Sequence, residues 1–304
     1  MKVLIVYFSA TGNTAKVAGE YTQTFEALGH EVTTVSLPTA KPLAFSEYDL
    51  IGVGYPIHSF NAPANVVKFC KTFERRNAKR DGQKRVFVFK TSGEPVRMSD
   101  VSSLKIRKVL KKRGYTVTNE YQYVMPYNII FRHSDADAYK MWKTAKALVP
   151  LDVNDIVSGE RKLPKRMFMG GFLAWILRIE HPGARINGKF FKVNKNCVNC
   201  GMCVKTCPAK NIKIKNGKIK FGGKCLMCMR CSFNCPKNAV EIGFFKRWKV
   251  NGAYSFAEPE PDAPPQENKH ADYCRKAYKR YYDNAASRID KAETHNEHIE
   301  ESQL

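Results

Sequence analysis

The sequence predicts an α/β layered domain followed by a second, smaller domain organised by cysteines. Three observations carry this. The chain has 304 residues, and single cores rarely grow much beyond ~250, so two domains are expected. Five apolar runs alternate with helical patterns across the first half, the mark of strands alternating with helices. Eight of the ten cysteines fall between Cys197 and Cys235. Apolar residues are 43% and charged residues 26%, which excludes wholesale disorder.

The elements follow in order. Val3–Phe8 is a continuous apolar run, as in a parallel strand covered on both faces. The N-terminus has one Lys, a short apolar run and no small-residue cleavage site, so it reads as that first strand rather than a signal peptide. A helical pattern then runs to about Leu28. Further strands are expected near Glu31–Ser36, Asp49–Gly54, Arg85–Lys90 and Tyr115–Val124, with helices near Ala62–Arg75, Ser99–Arg113 and Asp135–Leu148. No apolar run reaches the ~18 residues of a membrane span. The expected location is the cytoplasm, where ten cysteines are not disulfides.

The loop after the first strand, Ser9-Ala10-Thr11-Gly12-Asn13-Thr14, carries chemistry. It is neither an NTPase P-loop nor the dinucleotide fingerprint. Short hydroxyl and amide side chains around one Gly at a helix N-terminus suit a phosphate, held by backbone N–H groups and the helix dipole. An ordinary capped helix would need only Ser or Thr at the cap. Two further loops lie at strand ends: Pro56-Ile57-His58-Ser59-Phe60-Asn61, and Thr91-Ser92-Gly93. The run from Ile5 to Ala18 resembles the flavodoxin signature, with Tyr21 where an aliphatic is usual. The resemblance implies a doubly wound parallel sheet in order 2-1-3-4-5, with FMN at the switch between strands one and three. It places the phosphate at Ser9, Thr11, Gly12, Asn13 and Thr14. The ring then falls near Pro56, Ile57, His58, Phe60, Asn61, Thr91, Ser92 and Gly93. Many flavodoxins carry a large aromatic on the strand-four loop; this chain has none there, so an open ring face is expected.

The cysteines form two identical frames, Cys197-x-x-Cys200-x-x-Cys203-x-x-x-Cys207-Pro208 and Cys225-x-x-Cys228-x-x-Cys231-x-x-x-Cys235-Pro236. The alternative is a pair of zinc knuckles, but those come as separated C-x-x-C pairs. The repeat resembles the bacterial two-cluster ferredoxin, which implies a small α+β domain and two [4Fe-4S] clusters with crossed fourth ligands. On that resemblance one cluster takes Cys197, Cys200, Cys203 and Cys235, the other Cys225, Cys228, Cys231 and Cys207. A Gly-containing segment between the frames suits a hairpin. Cys70 reads as core and Cys274 as an incidental thiol in the tail.

The expected division is a flavodoxin-like FMN domain at 1–160, a basic and apolar joint at 161–187, the dicluster domain at 188–245, and a linker with a helical tail at 246–304. The joint, Arg161–Arg166 followed by Met167–Leu177, reads as a helix packing the domains together, with weak contact to an anionic membrane surface as the alternative. Ala257–His270 is acidic and Pro-rich, as in a linker, and Ala271–Ala292 has helical spacing. The formal charge is +23, which points to an anionic partner. Residues 188–245 hold twelve Lys or Arg and one acid. No nucleic-acid module is present, so an acidic redox protein is expected rather than nucleic acid.

Together the two motifs resemble the fused flavodoxin–ferredoxin proteins of anaerobic bacteria and archaea, the EFR-type ferredoxins. That implies a carrier passing low-potential electrons between FMN and two clusters. The alternatives are a flavoenzyme reducing a small substrate at FMN, fed by the clusters, and a membrane-surface, quinone-linked flavoprotein.

Overall fold

The computed structural model describes residues 1–39, 43–77, 81–95, 97–165, 167–260 and 270–302. Arg166 of the joint and most of the acidic, Pro-rich linker therefore lie outside the described residues.

Strands β1 (Lys2–Tyr7), β2 (Glu31–Ser36), β3 (Leu50–Pro56), β4 (Lys84–Ser92) and β5 (Tyr115–Val124) form one sheet in the order β2-β1-β3-β4-β5. Every pairing is parallel. The doubly wound order is the one the resemblance implies. Helices α1 (Asn13–Ala27), α2 (Ala64–Cys70), α3 (Leu104–Lys111) and α4 (Asp135–Val157) cover its two faces. One face buries Leu4, Val6, Ile51 and Val53 with Val66 and Ile106, and the other Val3, Ile5, Phe87 and Phe89 with Val17 and Val149. Strands covered on both faces have no polar side, so their sequences read as unbroken apolar runs. Gly52 and Gly54 are needed because a Cβ there would meet the Phe87 and Phe89 rings at 2.4 and 2.1 Å.

Two helices differ from expectation. Helix α2 is short, because the chain turns at Lys71–Phe73. Helix α4 runs nine residues past Leu148, through Pro150. The proline removes one backbone bond, but Val149, Val153 and Ile156 are fully buried against the sheet and hold the helix together.

The joint forms α5 (Gly170–Ile176) and, after one 3-10 turn, α6 (Glu180–Lys189). The cysteine region contains β6 (Lys192–Val193), α7 (Met202–Thr206), β7 (Ile212–Lys215), β8 (Lys218–Phe221), α8 (Arg230–Phe233) and β9 (Val240–Glu241). Strands β7 and β8 form an antiparallel hairpin. Its turn residues Asn216 and Gly217 both have positive φ, the geometry that follows the twist of the strands.

The tail is one long helix, α9 (Ala271–Ser302). It packs on α4 and buries Cys274, Tyr278 and Ala285. Cys274 is therefore core, set against Val124, Met141 and Tyr278, rather than incidental. Tyr21 also acquires a role. Its hydroxyl bonds Tyr123 at 2.7 Å, Tyr123 donates to Asp152 at 2.5 Å, and Arg288 of α9 pairs with Asp152 at 2.8 Å. Burial raises the Asp152 carboxyl to about 6 even beside that guanidinium. Arg288→Met is expected to strand this carboxylate and cost about 1–3 kcal/mol, less than the ~3–5 kcal/mol of a fully buried pair because Arg288 is partly exposed. In denaturant melts, Asp152→Asn in the same chain should recover most of the loss.

Candidate functional site: a flavin cavity walled by the cysteine domain

A cavity of about 350 Å³ opens at the carboxyl ends of the strands. The loop after β1 forms its floor. Gly12 sits in the left-handed region, φ 105°, and caps α1 with no acid in the first turn. The first N–H groups of a helix have no intrahelical partners and carry its positive dipole end. Asn13 Nδ2 donates to the Pro126 carbonyl at 2.8 Å, and Thr14 Oγ1 pairs with Thr91 Oγ1 at 2.8 Å. These two side chains fasten the loop to its neighbours. Ser9 Oγ is buried without a partner, and Thr11 Oγ1 accepts from Asn128 at 3.4 Å. An orphaned buried hydroxyl beside open backbone donors fits a phosphate.

The loop after β3 contributes Pro56, Ile57, His58, Ser59 and Phe60. His58 and Asn61 exchange backbone bonds at 2.9 and 2.7 Å, with Ser59 and Phe60 both at positive φ. Asn61, expected among the ring contacts, is off the wall: it is buried and its amide donates to the Ser59 carbonyl at 3.2 Å. Gly12 likewise sets the turn rather than lining this cavity. Both His58 nitrogens are shut from solvent without side-chain partners. Burial, reinforced by His181, lowers its pKa to about 4, so the ring is neutral at pH 7.

Thr91, Ser92 and Gly93 line the far wall. The aromatic missing from that loop comes from the next one. Tyr127, after β5, lies so close that a Cβ on Gly93 would meet its ring at 2.1 Å. Met125 to Ile130 all line the cavity. Sequence reasoning missed this segment, although ligands in such sheets bind outside the carboxyl ends of strands, and β5 has one too. The tail buttresses these loops: Tyr278 donates to the Gly93 carbonyl at 2.6 Å, and Tyr254 to the Tyr127 carbonyl at 2.7 Å.

The remaining wall comes from outside the sheet domain. Leu177 and Glu180 of the joint, and Met227 of the second cysteine frame, line the same cavity. Arg230, on the second frame, donates Nε to the Ala10 carbonyl at 3.0 Å and a terminal nitrogen to the Ser9 carbonyl. It also donates to Thr206 at 3.2 Å. One guanidinium thus ties the phosphate loop to both frames. No sequence signal distinguishes it from the other cations nearby.

Glu180 Oε2 has no hydrogen-bond partner, and His181 Nε2 stands 3.4 Å away. Burial raises the Glu180 carboxyl from 4.5 to about 8, and His181 is itself shifted down by burial, so it supplies no compensating charge at pH 7. The folded chain keeps a proton that the unfolded chain releases above about 4.5. This group's stabilising share is complete below that pH and is lost as pH rises towards 8, on the order of a few kcal/mol. Glu180→Gln is expected to leave the melting temperature unchanged at acidic pH and to raise it above pH 8.

The cysteines surround two small cavities. Cys197, Cys200, Cys203 and Cys235 line one, together with Cys231. Cys207, Cys225, Cys228 and Cys231 line the other. In both frames left-handed residues flank the second cysteine: Asn199 and Gly201 in the first, Met227 and Met229 in the second. Lys210 and Asn238, after the fourth cysteines, are left-handed as well. Met227, Asn211 and Ala239 N–H donate to the sulfurs of Cys225, Cys207 and Cys235 at 3.3, 3.3 and 3.2 Å. Such bonds stabilise thiolates and tune a bound cluster. The eight frame cysteines divide between two separate cavities, each with at least four of them in its lining, which is the donor set two cubanes require. The donor set fits the cluster. Gly188 of α6 lies against the second frame, where a Cβ would meet Cys225 Cβ at 2.2 Å.

The second frame is the inner one: Cys228 and Leu226 pack into the same core as β1 and β3. The first frame is at the surface, where Cys200, Val198 and Met202 are exposed.

Two family models match the chain. Residues 4–123 match the family model of a flavodoxin domain, and residues 196–240 that of a 4Fe-4S dicluster domain. No curated protein matches the chain. Similar solved structures include a flavodoxin from the domain Archaea at 19% identity, covering 52% of this chain and 99% of that one, TM-score 0.35. A flavodoxin of Streptococcus pneumonia TIGR4 has 19% identity, with coverage of 48% and 96%, TM-score 0.35. The two-electron reduced flavodoxin of Megasphaera elsdenii has 22% identity, with coverage of 47% and 97%, TM-score 0.32. The chain therefore joins a flavodoxin domain, with its site for FMN, to a 4Fe-4S dicluster domain, with cysteines for iron–sulfur clusters.

Proposed function

We propose that this protein is an electron carrier passing low-potential electrons between FMN in the strand-end cavity and two [4Fe-4S] clusters. The assigned ligands are Cys197, Cys200, Cys203 and Cys235 for the outer cluster, and Cys225, Cys228, Cys231 and Cys207 for the inner. FMN exchanges one or two electrons and each cubane one, so the pairing can split or merge electron pairs. One observation carries the reading: the second frame both walls the flavin cavity through Met227 and clamps the phosphate loop through Arg230. The chain's own residues hold the inner cluster site against the flavin site and leave the first frame at the surface. An anaerobic cytoplasm suits such thiolates.

The partner is an acidic redox protein that docks at the first frame, among Lys195 and Lys205. The test uses anaerobically prepared full chain, assayed for FMN, iron and sulfide and then mixed, reduced, with acidic and basic one-electron acceptor proteins. Faster transfer to the acidic acceptor, slowing as salt is added, is expected. Absence of transfer, or rates indifferent to charge and salt, would contradict the proposal.

A second reading, reduction of a small substrate at the ring, is favoured by one observation: Glu180 presents a proton-holding carboxyl without a hydrogen-bond partner to the cavity that His58 also lines. Substrate turnover abolished by Glu180→Gln while acceptor-protein reduction persists would favour it.

A further inference from the structure

The joint helix packs inward with one face only. Gly170, Ala174, Ala184 and Asn187 are buried, and Asn187 ties α6 to the dicluster domain through Ile242 O and Phe244 N at 3.1 and 2.8 Å. The opposite face is apolar and bare. Phe172, Trp175, Ile176 and Ile179 fall at i, i+3, i+4 and i+7, one stripe of a helix. Ile179 is 75% exposed and Trp175 64%, and Phe168, just before the left-handed cap Met169, is 91% exposed. Backbone angles stay helical from α5 through the 3-10 turn into α6. The stripe therefore continues through Ile186 to Phe190, about 30 Å from its start at 1.5 Å per residue. Phe190 then meets exposed Phe244 at 4.6 Å between ring centroids. This is far more contiguous apolar surface than scattered exposed residues make.

The flanks identify the occupant. Lys165, Arg185, Lys189, Lys246 and Arg247 are exposed, on or next in sequence to the segments that carry these apolar residues. Between residues 161 and 190 the one acid is Glu180, and it faces the flavin cavity. A face of Trp, Phe and Ile bordered by cations and no exposed acid matches an anionic lipid interface: rings reach the acyl boundary while Lys and Arg meet phosphate headgroups. A second copy would bring two cationic rims together in a chain of net charge +23. None of the helices among the described residues is long and apolar enough to cross a membrane, so the contact lies in the interface. We infer that the α5–α6 stripe docks this protein on the surface of an anionic lipid bilayer.

The test is co-sedimentation of the holoprotein with vesicles of phosphatidylcholine alone or mixed with phosphatidylglycerol, with brominated lipids as depth quenchers of tryptophan. The inference expects binding to the anionic vesicles, weakening with salt, with quenched fluorescence. Trp175→Asp with Ile179→Asp should lower partitioning by at least ~10-fold while flavin and cluster absorbance stay unchanged. Arg185→Glu with Lys189→Glu, which leaves the stripe intact, should also weaken it. Absence of binding, equal binding to neutral vesicles, or unchanged binding by both variants would overturn the inference. So would a dimer in sedimentation velocity that the Asp substitutions dissociate without any vesicle binding.

Discussion

Cys207→Ala is expected to cut the iron content from about eight to about four atoms per chain and to remove the inner cluster rather than the outer. Cys207 follows α7 at the end of the first frame, yet it lines the cavity of Cys225, Cys228 and Cys231. The cavity of Cys197, Cys200 and Cys203 includes Cys235 and not Cys207, while Cys231 lines both cavities. Deleting the Cys207 sulfur therefore leaves the outer site whole. Cys235→Ala is the reciprocal experiment and should cost the surface cluster. Iron and sulfide assays give the count, and Mössbauer or EPR spectra separate the exposed cluster from the buried one. Loss of the outer cluster in Cys207→Ala would mean that each frame keeps its own four thiolates.

Thr11→Asp is expected to weaken FMN binding by ~100-fold or more, since two unit charges of like sign ~4 Å apart near a protein surface repel by about 4 kcal/mol. Thr11 lines the cavity on the loop whose open donors are backbone N–H groups and the orphaned Ser9 hydroxyl. The phosphate brings its own negative charge to that floor, and an adjacent carboxylate both repels it and competes for the same donors. Thr11→Ser keeps a hydroxyl to accept from Asn128 and should bind as wild type. Fluorescence titration of the apoprotein with FMN and with riboflavin reads the effect. The penalty should appear for FMN and largely vanish for riboflavin, which lacks the phosphate.

The legible parts of this molecule are those fixed by local chemistry. A strand covered on both faces must be apolar throughout, so β1 and the loop after it stand out by composition. Cluster ligation requires thiolates at fixed offsets, so the frames are unmistakable. Asn216-Gly217 marks its hairpin because few residues tolerate two successive left-handed positions. What could not be read depends on segments far apart in sequence. Arg230 looks like one more cation in a basic region, and only the fold brings it to Ser9 and Ala10. Met227 occupies an unconstrained position between two ligands, yet it faces the flavin cavity. Tyr127 brings an aromatic to the wall at Gly93, where the strand-four loop's lack of one suggested an open ring face, because the space over Gly93 can be filled from either strand end. In the tail, the spacing of Tyr278, Tyr281 and Ala285 signals a helix but not its target. Cys274 looks incidental in a polar segment until Tyr278 and Arg288 dock α9 on the sheet domain. Helix α4 passes Pro150 because burial of Val153 and Ile156 outweighs one lost backbone bond.

The central claim is that the inner cluster site lies between the flavin cavity and the exposed frame. It is tested most directly by photoreducing the flavin under anaerobic conditions and following bleaching of the outer cluster, in wild type and in Cys207→Ala with the outer cluster shown intact. The account predicts prompt bleaching in wild type and a rate at least ~100-fold lower in the variant, at a flavin content that is unchanged. Bleaching at the wild-type rate without the inner cluster would contradict it.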